Sequence, residues 1–336
     1  MKKLIIKKTK FKGSKEHQKF VKNEKTKTFF VHFSRIAILL AIIGIWELIA
    51  YKNWVDPFII SSPSRIVKQT KLLIESGSLS LHLTTTLMET VYAFLLSTII
   101  GFVVAVILYF TTFVRRVFEP YLVILNSLPK IALGPLIIIW VGVGTKAIVT
   151  MGILICVVIT TINLLNSYLE VPQEKIMLLK SMGANKFQIM WHLIFPATLP
   201  AFMSTLKINL GMAWVGVIMG EYLSSKAGLG YLLVYGGQIF KLDLVMTAII
   251  LLCLLSGLMY GFISVLEKII LKKRWLNSMV KPSFYYSSVS FNSGWTGSVF
   301  LFLIFFTIAL IAKYKINTAT SPKNTRKTII VLSAKK

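Results

Sequence analysis

Apolar runs of around 20 residues recur along this chain, separated by shorter polar stretches. They cover about 35–50, 84–110, 117–141, 146–169, 197–222 and 244–266. A helix of about 20 apolar residues crosses the hydrocarbon core of a bilayer. Only a helix or a closed barrel satisfies its own backbone groups there. The pattern therefore predicts an all-α membrane protein with a bundle of six spans. Asp56-Pro57 and Ser62-Pro63 mark 52–83 as loop or short surface helix. Pro129 and Pro135 interrupt the third run. A Gly-rich loop follows the fifth run and continues to Asp243.

Three domains follow. Residues 1–34 form a basic tail, 35–281 the six-span domain, and 282–336 an extra segment. Within the last, 295–312 is an apolar run of 18 residues and a candidate seventh span, near the lower length limit. Beyond it, 313–336 is polar and basic, then turns to the strand-like TIIVLSA at 328–334. Two readings stand for that tail: the linker and first strand of a fused extracellular receptor domain, or a disordered tail on an extra anchor helix.

Composition agrees with the pattern. Of 336 residues 55% are hydrophobic and 15% charged, with a mean hydropathy of +0.73. Soluble domains carry roughly 25% charged residues. The net charge of +26 raises the question of a nucleic-acid partner, and its placement answers it. Eleven lysines lie between Lys2 and Lys27, and other basic residues flank apolar runs: Arg115 and Arg116, then Lys268, Lys272, Lys273 and Arg274. Positive-inside bias produces such clusters, whereas a nucleic-acid groove needs a continuous basic face. The predicted surroundings are membrane lipid, not nucleic acid. A cytoplasmic N-terminus then places Arg115/Arg116, 170–196 and 267–281 inside by alternation. The 52–83 loop, placed outside, carries Lys52, Arg65, Lys68 and Lys71, so the tail and the segment after the sixth span carry most of the bias.

Five ionisable residues fall within or at the edges of spans: Glu47, Glu89, Lys130, Lys207 and Glu221. Charge in a membrane is costly and faces a bundle interior or a water-filled cavity. Lys207 and Glu221 are taken as candidates for a translocation path. Gly216–Gly220 and Gly257–Gly261 are small-xxx-small patterns, expected where helices pack closely. Cys156 and Cys253 read as small buried hydrophobes. His17, His32, His82 and His192 lack metal-ligand spacing, so no metal or cofactor site is expected in this chain. Gly142-Val-Gly144-Thr145-Lys146 lacks the spacing of a phosphate-binding loop, so ATP is expected on a separate chain.

The segment Glu170–Pro200 reads EVPQEKIMLLKSMGANKFQIMWHLIFPATLP. It is too polar to span. Gln173 to Met182 favours helix, Gly183 breaks it, and Asn185 caps a second short helix. Phe187, Met190, Trp191 and Ile194 then fall at i, i+3, i+4 and i+7, one apolar stripe that Pro196 ends. Amphipathicity alone would equally suit a helix lying on the inner leaflet.

A resemblance separates those readings. LKSMGA followed by L-x-F-P is similar to the EAA loop of ABC importer permeases, which ends in G-x(9)-I-x-L-P. Counting from Gly183, Leu193, Phe195 and Pro196 take the last three places. The chain departs at the Glu-Ala-Ala positions, which are Met177, Leu178 and Leu179. SSPSRIV (61–67), LPKIALGPLIIIWVGVG (128–144) and LKINLGMAWVGVIMGEYLSSKAGLGYLL (206–233) resemble the nitrate/sulfonate/taurine/bicarbonate group of these permeases, over about 35–275.

The resemblance implies a six-span ABC importer permease that forms a homodimer in the bacterial cell membrane. It would carry two ABC ATPase subunits on its cytoplasmic face and receive solute from an extracellular solute-binding protein. The loop would be the coupling helix, docking through Gly183, Ala184, Asn185 and Lys186, flanked by Ser181 and Phe187 and followed by Pro196. A sulfonate, nitrate, taurine or thiamine-pyrimidine-like solute would fit. Two rivals remain: a secondary transporter, and a membrane-embedded enzyme acting on lipid-linked substrates. The first calls for an internal repeat with broken helices in both halves, the second for clustered acid, base or metal ligands at one depth.

Overall fold

The computed structural model describes residues 15–54 and 57–277. The C-terminal segment, with the candidate seventh span at 295–312 and the strand-like run at 328–334, lies outside the described residues, as do residues 1–14 of the basic tail. The described chain is helical throughout, without strands. Its first unit, Met1–Pro57, contributes α1 (Lys15–Tyr51), whose apolar part is Phe29–Tyr51. The second unit, from Phe58 onward, holds everything that follows.

The stretch after Pro57 is helical rather than loop: α2 (Pro57–Ile60) and α3 (Pro63–Glu75). Ser62 caps α3 by accepting from the Arg65 N–H at 3.3 Å, and Pro63 sits in the first turn, where its missing N–H costs nothing. The spans proper are α4 (Ser78–Phe110), α7 (Thr145–Leu169), α10 (Phe195–Ser224, entered through 186–194) and α12 (Leu242–Asn277). Between α4 and α7 the predicted third span is a broken one. α5 (Thr112–Ser127) and the continuation Lys130–Val141, a 3₁₀ turn (Lys130–Leu133) running into α6 (Gly134–Val141), meet at 87°. Pro129 is the cause, because it removes a helical donor and holds Leu128 in extended backbone. Five described helices are long and apolar enough to cross a membrane, six with the bent pair taken as one. The Gly-rich loop after α10 is also partly helical, as α11 (Leu229–Gln238).

α7 is the central helix, packed by α4 on one side and α10 on the other. Small residues let the backbones close up. A Cβ on Gly216 would lie 2.6 Å from the Gly152 Cα, and one on Gly220 would lie 2.9 Å from the Ile148 Cα. Gly257 and Gly261, the second small-xxx-small pair, have nothing within 4 Å and pack against no neighbour among the described residues. Gly216→Ala must push α7 and α10 apart, at a cost of about 1–3 kcal/mol as for other overpacked sites. Gly257→Ala should be neutral or slightly stabilising through helix propensity. Thermal unfolding of the two variants in detergent checks the contrast.

The predicted stop at Pro196 does not occur. Residues Met190–Ile194 form a π turn, and α10 follows without a break, with Pro196 in its first turn. The widened turn makes room for a ring that would otherwise strike the carbonyl four residues back.

Candidate functional site

The segment 170–196 folds into two helices around one tight bend. α8 (Gln173–Ser181) ends in a Schellman motif. The Ala184 N–H donates to the Leu179 carbonyl at 3.0 Å, and the Gly183 N–H to the Lys180 carbonyl at 2.9 Å. Gly183 has φ +82°, a left-handed conformation that glycine adopts without strain. Asn185 then opens α9 (Lys186–Ile189) as predicted, within a full capping box. Its side chain accepts from the Gln188 N–H, and the Gln188 side chain accepts from the Asn185 N–H, both at 2.8 Å.

One face of this element is anchored. Ile176, Ile189, Met190 and Ile194 are buried with Ala105 and Leu108 of α4 and Leu164, Leu165 and Tyr168 of α7. Leu179 and Ala184, either side of the bend, pack on the same cluster. The other face is open. Met177, Leu178, Met182 and Phe187 are 56%, 62%, 74% and 67% exposed. Ser181, Gly183, Asn185 and Lys186 share that exposure, and Ala184 is half-buried. The expected single stripe is split: Met190 and Ile194 face inward, while Phe187 and Trp191 face out. The π turn adds a residue and rotates the stripe apart. The Phe187 ring still rests on Phe110, centroids 5.2 Å apart, and Trp191 on Phe195 at 5.4 Å.

Lys207 and Glu221 occupy separate places on α10. Lys207 is ion-paired with Glu267 of α12, beside the Tyr260 ring. Glu221 is 1% exposed and belongs to a polar cluster at the far end of α10. There the first N–H groups of α11 meet three different side chains. Gly228 donates to His82 Nδ1 at 3.0 Å, Leu229 to Thr86 Oγ1 at 2.7 Å, and Gly230 to Glu221 Oε2 at 2.5 Å. Those donors have no helical partner, and Gly228 at the cap has no side chain to offer. The Glu89 carboxyl of α4, 2% exposed, lies beside this cluster, near Glu221. Glu89 was legible as an intramembrane charge; His82 and Thr86 were not singled out. Their signal was the spacing 82, 86, 89/90, 93, 97, 101, which is one buried stripe of α4.

A second polar band lies midway along the spans. Asn209 of α10 is 1% exposed and donates through Nδ2 to Thr98 Oγ1 at 2.7 Å and Ser97 Oγ at 3.3 Å, both on α4. The Cys156 thiol of α7 donates to the Asn209 carbonyl at 3.5 Å. Among the described residues no three His, Cys, Asp or Glu side chains converge as a metal site.

Comparison with known proteins gives this arrangement a family. The chain belongs to the binding-protein-dependent transport system inner membrane components, whose family model matches residues 97–316. The formylaminopyrimidine transport permease protein ThiX of Halalkalibacterium halodurans is 31% identical over 235 residues, 70% of this chain and 93% of that one. A probable ABC transporter permease protein of Haemophilus influenzae is 29% identical over 67% of this chain and 91% of its own. The putative aliphatic sulfonates transport permease protein SsuC of Bacillus subtilis is 29% identical over 70% and 85%. Among solved structures, an inward-facing MetNI methionine ABC transporter superposes with a TM-score of 0.51 at 23% identity, covering 57% of this chain and 97% of that one. That likeness concerns the fold. The chain is thus a multi-pass membrane protein and a transporter subunit of the ABC importer permease family, a family that works with ATPase and binding-protein partners.

Proposed function

We propose that this chain couples ATP hydrolysis on partner subunits to alternating access for a small solute, with residues 170–196 as the coupling element. The observation that carries the reading is the element's two-faced build. Ile176, Ile189, Met190 and Ile194 fix it to the bundle, while Met177, Leu178, Met182 and Phe187 stand exposed around Gly183. An exposed apolar patch held rigidly at the end of a bundle marks a protein contact. Ser181, Gly183, Ala184, Asn185, Lys186 and Phe187 would seat in a groove of the ATPase, which would bind the ATP. The π turn and Pro196 would pass the movement directly into α10, with no flexible loop between. Nucleotide shifts the equilibrium only through its different affinity for the two states, and the partner supplies that difference.

Two copies would pair through the broken span, where Tyr121, Val123 and Ile124 of α5 and Ile139 and Trp140 of α6 are all more than half exposed. The path would run between the copies, with Lys207 and Glu221 bracing its walls from α10. Relatives named for aliphatic sulfonates, taurine and formylaminopyrimidine support a small polar solute for this chain too. An extracellular binding protein would deliver it. The N-terminus and 170–196 would lie in the cytoplasm.

One experiment tests orientation and docking together. In a background lacking Cys156 and Cys253, Lys186→Cys is probed with a membrane-impermeant maleimide. Intact cells should show no labelling. Inside-out vesicles stripped of ATPase should label fully, and restoring the ATPase should protect the thiol. Labelling from outside intact cells would overturn the topology; labelling unaffected by the ATPase would overturn the docking.

A further inference from the structure

The end of α4 and the segment that leads into α10 face each other with two rows of side chains and a gap between them. Phe102, Val106 and Phe110 recur every four residues on one face of α4. Phe187, Trp191 and Phe195 follow at the same interval across α9, the π turn and the start of α10. The rows touch at both ends. At one end Phe102 meets Phe195 edge-on at 5.9 Å, and Phe202 lies against both, at 6.2 and 6.1 Å. At the other the Phe110 and Phe187 ring centroids are 5.2 Å apart. Between those contacts the α4 row offers only Val106, and a cavity of about 140 Å³ opens there, lined also by Met190. Every lining side chain is aliphatic, aromatic or thioether. An apolar cavity of about that size stays dry and accepts a benzene-sized apolar group.

The place of the cavity along the span decides what can reach it. Phe110 is the last residue of α4, so at 1.5 Å per residue the Phe102 end lies about 12 Å inside the span. The chain then turns into α5, which carries Arg115 and Arg116, the first charges after the apolar run. Such residues sit at the headgroup level. One leaflet contributes about 15 Å of hydrocarbon, so the cavity lies at the depth of its acyl chains. An ATPase docked beyond the end of the bundle does not extend to that depth, whereas a lipid does. Trp191, which lines the cavity, is 57% exposed and is of the residue type enriched at the membrane boundary. Arg116 is exposed and Arg115 half-buried. Adjacent arginines at the membrane surface attract anionic headgroups.

We infer that this cavity holds an acyl chain of an anionic phospholipid, with the headgroup met by Arg115 and Arg116. The chain completes the wall behind the coupling element, where Met190 is already packed with α4 and α7. The inference rests on the permease reading, which puts this end of the bundle at the cytoplasmic leaflet, and adds a defined lipid site to it.

The test is photocrosslinking. The permease–ATPase complex is reconstituted in vesicles of phosphatidylglycerol or of phosphatidylcholine, each with a diazirine midway along one acyl chain, and the adducts are mapped by mass spectrometry. Exposed Leu254, Leu258 and Phe262 of α12 report ordinary lipid contact. Relative to them, adducts at 102–110 and 187–195 should be about fivefold more frequent with phosphatidylglycerol than with phosphatidylcholine, the size expected of one basic residue near an anionic headgroup. Replacing Arg115 and Arg116 with glutamine should abolish that preference. Val106→Trp fills the cavity and should remove the excess over α12. Should that variant fail to assemble, Val106→Ala decides: it enlarges the cavity and should raise the adducts, and no rise overturns the inference. Adducts no more frequent than on α12, or unchanged by Val106→Trp in an intact complex, also overturn it. Adducts that form only after the ATPase is stripped away would give the cavity to the ATPase and overturn it too. Co-purification of the ATPase, with its protection of the thiol at position 186, reports separately on the permease reading, so the two can fail independently.

Discussion

Gly183→Val is expected to detach the ATPase subunits from an otherwise folded permease and to lower ATP-driven uptake about tenfold or more. Space is not the obstacle, because a Cβ at this position meets nothing within 4 Å. The obstacle is the backbone. At φ +82° an L residue carries a penalty of about 1–2 kcal/mol, and a β-branched one is a true outlier there. The strain is relieved by opening the Schellman bonds from Gly183 and Ala184 to Lys180 and Leu179. That swings α9 and its exposed Phe187 away from α8 and its exposed Met182. A loss of 1.4 kcal/mol in the docking-competent form is a factor of ten in occupancy. Asparagine tolerates left-handed backbone far better, so Gly183→Asn should retain most of the ATPase and most of the uptake. Co-purification and uptake measured on both variants decide the matter. If valine behaves like asparagine, the bend does not serve coupling.

That bend was legible in the sequence because its signals are local. A glycine after a helix-favouring run, then Asn185 three residues before Gln188, specify a stop and a start within a few residues. The spans were legible for the same reason: bilayer thickness sets their length, and apolar runs report it directly. What escaped depends on residues far apart in the chain. Gly216 and Gly257 look alike in sequence, yet only the first faces another backbone, because Gly152 lies opposite it. Pro196 looked like a stop because its neighbours read as an ordinary α-helix. The π turn that accommodates it also undid the stripe drawn through Phe187 and Trp191. Glu221 was visible as a buried charge, but its use was not. The partners it meets are a backbone N–H nine residues on and a carboxyl on α4.

Glu221→Ala should be the most destabilising single polar change in the second unit, at about 2–4 kcal/mol. It removes the acceptor of the Gly230 N–H, and a buried donor left unmade costs about 1–3 kcal/mol. It also empties a volume that the surroundings fit closely: a Cβ on Gly230 would lie 2.7 Å from the Glu221 Cβ, so the α11 backbone rests directly on this side chain. The remaining cost comes from that void and from Glu89, whose carboxyl loses its neighbour. Glutamine keeps what the site uses: its oxygen accepts from Gly230, and its amide fills the volume of the carboxyl. Glu221→Gln should therefore unfold within about 1 kcal/mol of the parent, whereas Glu221→Ala should lose α11 first. Hydrogen exchange at Gly228, Leu229 and Gly230, read beside the thermal midpoint in detergent, follows both steps. Fast exchange at these amides in the alanine variant alone is the expected outcome. Equal protection in both variants would show that the helix start is held by His82 and Thr86 without the carboxylate.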